Sequence, residues 1–126
     1  TTSKGDSFKK IKIVEAVDMI RKDITTTVQD TYIGKFANSY DNKMILCTAI
    51  TNYFLTLERA GILKEGGSSV GIDVDAQETY LQSKGIDTSD LTEQQIKEYD
   101  TDDQVFLMAT VEILDAIEDI ALAITI

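Results

Sequence analysis

Histidine is missing from all 126 residues, and tryptophan is missing too. Without histidine the chain lacks the commonest general base and the commonest metal-binding side chain. Its many acids leave paired-carboxylate glycoside chemistry open, but without tryptophan, and with only nine other aromatics, it has little from which to build a sugar-binding platform. One cysteine, Cys47, excludes an internal disulfide. It falls among apolar residues of a predicted helix with no basic neighbour to activate it, so it reads as a buried structural thiol. Basic residues are also scarce. Twelve Lys and Arg stand against twenty-two Asp and Glu, a net charge of −10. That balance argues against nucleic acid, where binding depends on releasing phosphate counterions, and against anionic lipid.

Phosphate and metal motifs are equally thin. "EGGSSVG" lacks the Lys-Ser/Thr ending of a phosphate loop and follows no strand. Asp73-Val74-Asp75 opens like a calcium loop, but Glu78 holds the sixth position, where the sharp turn requires glycine. Asp100, Asp102 and Asp103 read as a solvated acidic loop. No catalytic, metal or cofactor site emerges. No secretory signal opens the chain, and the most apolar stretch, 104–126, contains Glu112, Asp115, Glu118 and Asp119, which exclude an ordinary membrane span. The expectation is a soluble protein made in the cytosol, and the absence of an initiating Met suggests a piece of a longer chain.

What the sequence does contain is a single domain's worth of patterned residues, 43% of them apolar. Ile13, Val17, Ile20, Ile24 and Val28 share one helical face, predicting a helix over 9–30, although Thr25-Thr26-Thr27 weakens its last turns. A second helix is expected from an N-cap at Asp41, burying Leu46, Ile50, Tyr53, Phe54 and Leu57 and ending at Gly61. "KEGGSSVG" reads as a flexible loop, and Ile72–Val74 as a short strand leading into a helix from Asp75 to the stop at Gly85. Thr92-Glu93-Gln94-Gln95 fits a capping box, with Leu91 and Ile96 placed to close a hydrophobic staple.

The period then changes. Val105, Leu107, Ala109, Val111 and Ile113 share one parity, and after "DAIED" the residues Ile120, Leu122, Ile124 and Ile126 share another. Period two on both sides of a polar break predicts two strands, against the rival of one 23-residue helix that the alanines favour. The fold class is therefore α+β: about four helices on a small, mainly antiparallel sheet, with a C-terminal two-stranded element. The last strand, "IALAITI", is an alternating apolar segment with no turn residue to blunt it. Either it pairs within its own sheet or it is donated to another chain, and the residues alone leave both open. Charge is divided as well: residues 1–65 carry a net +2 and residues 66–126 a net −12. That division fits solvated acidic loops, or head-to-tail complementarity between copies.

The segments "GDSFKKIKIVEAVDMIRKDI", "DTYIGKFANSYDNKMILCTAITNYFLTLERAGIL", "IDVDAQETYLQSKGID" and "VFLMATVEILDAIEDIALAI", in unbroken order, resemble the C-terminal domain of contractile tail sheath proteins. The similarity is greatest to sheaths of prophages in Gram-positive bacteria and of phage-tail-like bacteriocins. "YIGKFANSYDNK" and "VEILDAIEDIALAI" carry it most specifically.

The resemblance implies a structural, non-enzymatic subunit without cofactors, and a fragment lacking the parent's N-terminal arm and outer domains. It implies stacked hexameric rings of sheath subunits around a tail tube protein. Extended arms from neighbours would add strands to a hairpin. Carried over, the C-terminal arm is 120–126, with Ile120, Leu122, Ile124 and Ile126 in contact with a receiving strand that bears Val105, Leu107, Ala109 and Val111. Asp115, Ala116, Glu118 and Asp119 would form the turn and hinge. The particle would be a virion or a phage-tail-like device assembled from protein made in the bacterial cytoplasm. The competing expectations are a generic oligomerisation or adaptor domain with an exposed strand edge and, further off, a small acidic enzyme.

Overall fold

A computed structural model describes residues 2–114 and 119–126. Four helices and three strands follow in the order α1 (Thr2–Thr31), α2 (Tyr40–Arg59), β1 (Ser69–Ile72), α3 (Val74–Ser83), α4 (Glu93–Glu98), β2 (Phe106–Val111) and β3 (Ile120–Thr125). The strands form one antiparallel sheet in the order β1-β2-β3, so β2 is central and both other strands are edges. The α+β expectation holds, and the 23-residue helix is excluded in favour of two strands.

The hydrophobic periods explain how the layers stack. Ile20, Ile24 and Val28 of α1 are buried, with Ile13 and Val17 packed beside them. Leu46, Ile50, Phe54 and Leu57 of α2 join the same cluster, as do Val105, Leu107, Ala109, Val111 and Ile113. Side chains two apart on a strand share a face, so this parity turns one whole side of β2 onto α1 and α2. Each fully buried Leu, Ile or Val contributes about 1.5–3 kcal/mol by leaving water. The opposite face is only partly covered. Phe106 stacks on Tyr80 of α3 at a centroid distance of 5.4 Å, whereas Met108, Ala121 and Ala123 stay exposed.

Several boundaries differ from the sequence expectation, each for a local reason. Helix α1 runs through the threonine run to Thr31. The N-cap of α2 is Ser39 rather than Asp41: its hydroxyl accepts from the Asn42 amide at 3.2 Å, and Asp41 then lies in the first turn, where a negative charge suits the helix dipole. Part of the predicted flexible loop is strand β1, drawn into the sheet by pairing Ser69 with Thr110 and Ile72 with Leu107. The strand therefore ends at Ile72. Helix α3 begins at Val74, one residue ahead of the expected start at Asp75, with Asp73 as its cap accepting from the Ala76 amide at 3.1 Å. The capping box at Thr92 forms in both directions, at 3.2 Å and 2.9 Å.

Candidate assembly interface

The eight residues assigned to strand contacts meet in one place. In the β2–β3 ladder Val111 faces Ile120, Ala109 faces Leu122 and Leu107 faces Ile124. Val105 and Ile126 extend the ladder, exchanging backbone bonds of 2.9 Å and 3.0 Å. Val105, Leu107, Ala109 and Val111 are completely buried; Leu122 and Ile124 nearly so, while Ile120 and Ile126 lie at the margin. In this chain, β3 thus pairs within its own sheet and its bulky face closes the core.

An antiparallel ladder alternates hydrogen-bonded and non-hydrogen-bonded pairs. Since Val105 and Ile126 exchange bonds, the even-numbered residues of β3 turn their peptide groups toward β2. Ala121, Ala123 and Thr125 turn theirs outward, along an edge that pairs with no strand among the described residues. The first two carry the smallest side chains available to a strand, so another backbone meets little obstruction there. At that edge the exposed Arg21 of α1 reaches across 102 positions of sequence, its Nη1 donating to the Ala123 carbonyl at 3.2 Å.

The approach to the polar break is held firmly. Leu63 bridges Ile113, the Lys64 amide donates to the Glu112 carbonyl at 2.8 Å, and the Leu114 amide donates to the Ile62 carbonyl at 3.0 Å. A Lys64–Glu112 ion pair at 3.4 Å lies over these bonds. Gly67 is packed so tightly here that a methyl group on it would come within 2.9 Å of the Glu112 Cβ. Of the four hinge candidates, Asp115, Ala116 and Glu118 fall outside the described residues, and Asp119 is exposed just before β3.

A second constellation explains "YIGKFANSYDNK", whose residues carried the resemblance without an evident task. Gly34, at φ 77°, turns the chain after α1. The Tyr32 hydroxyl donates to Asn38 Oδ1 at 3.0 Å, and Asn38 Nδ2 donates to the carbonyls of Asp102 and Gln104 at 2.9 Å and 2.8 Å. Lys43 is buried with its amine 2.7 Å from Thr101 Oγ1, and burial lowers its pKa against the opposing pull of Asp100. The network ties the α1–α2 connector to the loop that launches β2, fixing the height at which the hairpin begins. Sequence separations of 58 to 66 positions hid it.

Four of the acids in the two acidic stretches take part in local hydrogen bonds. Asp73 caps α3, and Glu78 accepts from Thr88 at 3.1 Å. Asp100 accepts from the Asp102 amide at 2.9 Å, and Asp102, itself at φ 56°, accepts from the Tyr80 hydroxyl at 2.6 Å. That carboxylate pushes the Tyr80 pKa up to about 12. Burial pushes the Cys47 thiol up to about 11, the reverse of what a nucleophile needs. Among the described residues, no helix is long and apolar enough to cross a membrane.

The fold and the hairpin define a structural domain whose distinctive element is a paired C-terminal strand with an accessible outer edge. Comparison with known proteins is specific. The phage tail sheath C-terminal domain family matches residues 3–126, and the chain belongs to that family. It is 36% identical over 120 residues to the tail sheath protein of Clostridium phage phiCD119, a stretch covering 95% of this chain and 33% of that protein. The chain therefore spans about a third of the length of the curated relative it matches.

Proposed function

We propose that this domain links neighbouring subunits of a contractile sheath by exchanging β3. The observation that carries the reading is the β2–β3 register, in which all eight contact residues form four facing pairs on the core side. A strand from a second copy can make the same pairs with β2, because exchanged elements reproduce in trans the bonds they make in cis. Exchange around a ring and between rings would weave subunits together, and an extended segment of a neighbour can add along the outer edge at Ala121, Ala123 and Thr125. Residues 115–119 would serve as the turn about which the arm redirects.

Contraction then becomes a rearrangement of domains around preserved strand pairs. Main-chain ladders resist sliding, so subunits can rotate about the 115–119 connection without parting. The sheath encloses a tail tube protein in stacked hexameric rings and drives it through the target envelope on stored assembly energy, whether in a virion or a phage-tail-like particle. The subunit is made in the bacterial cytoplasm and uses no catalysis or cofactor.

Met108 and Ala123 are facing neighbours on the exposed side of the hairpin. They form a non-hydrogen-bonded pair, with an expected Cα separation of about 4.5 Å that suits a disulfide. Full-length subunits carrying Met108→Cys, co-assembled into sheath with subunits carrying Ala123→Cys, should oxidise to covalent heterodimers when strands are exchanged. Cross-linking confined to the double variant, within single chains, would refute exchange.

A further inference from the structure

We infer that Arg21 guards the free edge of the sheet, and that a strand from a second copy adds there only by displacing its guanidinium. The inference rests on the strand-addition reading and concerns its control. Outward peptide groups recur at Ala121, Ala123 and Thr125, and an exposed row of this kind recruits strands indiscriminately unless it is blunted. Neither Ala121 nor Ala123 can blunt it, since each projects only a methyl group. The blunting comes instead from α1, whose Arg21 takes the middle carbonyl of the three at 3.2 Å. An incoming strand needs that carbonyl for its own amide, and the planar guanidinium stands in its path.

Position suits the task. Ile20, the preceding residue, is fully buried in the core, so the Arg21 backbone is fixed while its side chain remains exposed. The bond is charge-assisted, yet it is open to solvent. It discourages a weakly held strand and yields to one that contributes a full row of main-chain bonds. The guard therefore sets a threshold on addition. It leaves the β2–β3 pairing untouched, because the Ala123 peptide group faces away from β2.

The test compares the 126-residue chain with Arg21→Ala, measuring self-association by sedimentation equilibrium and amide exchange at Ala121, Ala123 and Thr125 across a concentration series. Removing the guard should tighten association on the order of tenfold, with protection growing at those three amides. Exchange of β3 alone would not protect them. Combining Arg21→Ala with Ala123→Pro, which deletes one outward N–H, should abolish the gain; a gain that survives overturns the proposal. Should Arg21→Ala lower the melting temperature, Arg21→Gln keeps most of the stem and must show the same gain. Equal association and equal protection in wild type and variant would remove the guard but leave strand addition standing. No protection in either at any concentration would remove both.

Discussion

Val105 and Ile126 exchange both of their backbone hydrogen bonds, at 2.9 Å and 3.0 Å, so the final residue is clamped beside the first turn of chain into β2. The clamp gives the last strand two unequal faces: Leu122 and Ile124 turn inward, while Ala121, Ala123 and Thr125 turn outward.

Substitutions along β3 should therefore alternate in effect. Leu122→Ala empties a site that is 1% exposed and should cost about 2–5 kcal/mol in urea unfolding. Thr125→Ala, on the exposed face, should stay within about 0.5 kcal/mol. Similar costs at both positions would mean that the strand does not lie in this register.

Gly67→Ala should loosen the anchor before the polar break. Its new methyl group would meet Glu112 Cβ at 2.9 Å, and relief requires moving backbone that bonds Lys64. A loss of about 1–3 kcal/mol is expected. Faster amide exchange at Lys64 and Leu114 than elsewhere in the chain would locate it; uniform acceleration would not.

Lys43 makes stability depend on pH in a defined direction. Its folded pKa lies below the ordinary 10.5, mainly because burial penalises the charge. Below the lowered value both states hold the proton and the penalty is constant. Between that value and 10.5 the unfolded chain binds more protons, so this residue's contribution to stability rises with pH. Lys43→Met removes the penalty, and the stability difference between variant and wild type should shrink through that window. A difference that is flat across it would contradict the assignment.

Cys47 should resist thiol reagents. With its pKa pushed up to about 11 by burial, the native protein at pH 8 presents little thiolate and little access. Labelling by a chromogenic disulfide should be slow in buffer and at least about tenfold faster in denaturant. Rapid native labelling would place the thiol outside the core.

The Tyr53 hydroxyl donates to Asp23 Oδ2 at 2.6 Å, joining α2 to α1. Burial first, and then the Asp23 carboxylate, raise its pKa. Its contribution is complete below the ordinary value of 10.0 and fades as pH climbs through the raised folded value. Tyr53→Phe should lower stability by about 0.5–2 kcal/mol at neutral pH and remove a late-titrating phenol from the ultraviolet alkaline titration. An unchanged titration would assign the late phenol elsewhere.

Much of this fold was legible because its main elements have clean periods. Val105 to Ile113 announced a buried strand face residue by residue, and Thr92 with Gln95 announced a helix start that forms as drawn. Two of the misplaced boundaries lie where two polar residues compete for one role: Ser39 with Asp41, and Asp73 with Asp75. Local chemistry permits either, and tertiary position decides. The Asn38–Thr101–Lys43 network and the reach of Arg21 to Ala123 were invisible for another reason. Each joins residues far apart in sequence, and no periodicity marks a long side chain that will meet a distant carbonyl. Of the candidate interface, the strands and their inward residues could be read, but the Arg21 contact on the outer edge could not.

Only eight residues separate Val111 from Ile120. So short a connection keeps β3 beside its own β2 at an effective concentration in the millimolar range. A neighbour's strand competes on even terms only when it is held nearby at comparable density, as on a growing ring. Dilute subunits should therefore keep their strands to themselves. On the proposed exchange, pairing in trans would begin where a template crowds the subunits together, with the eight-residue separation setting the threshold.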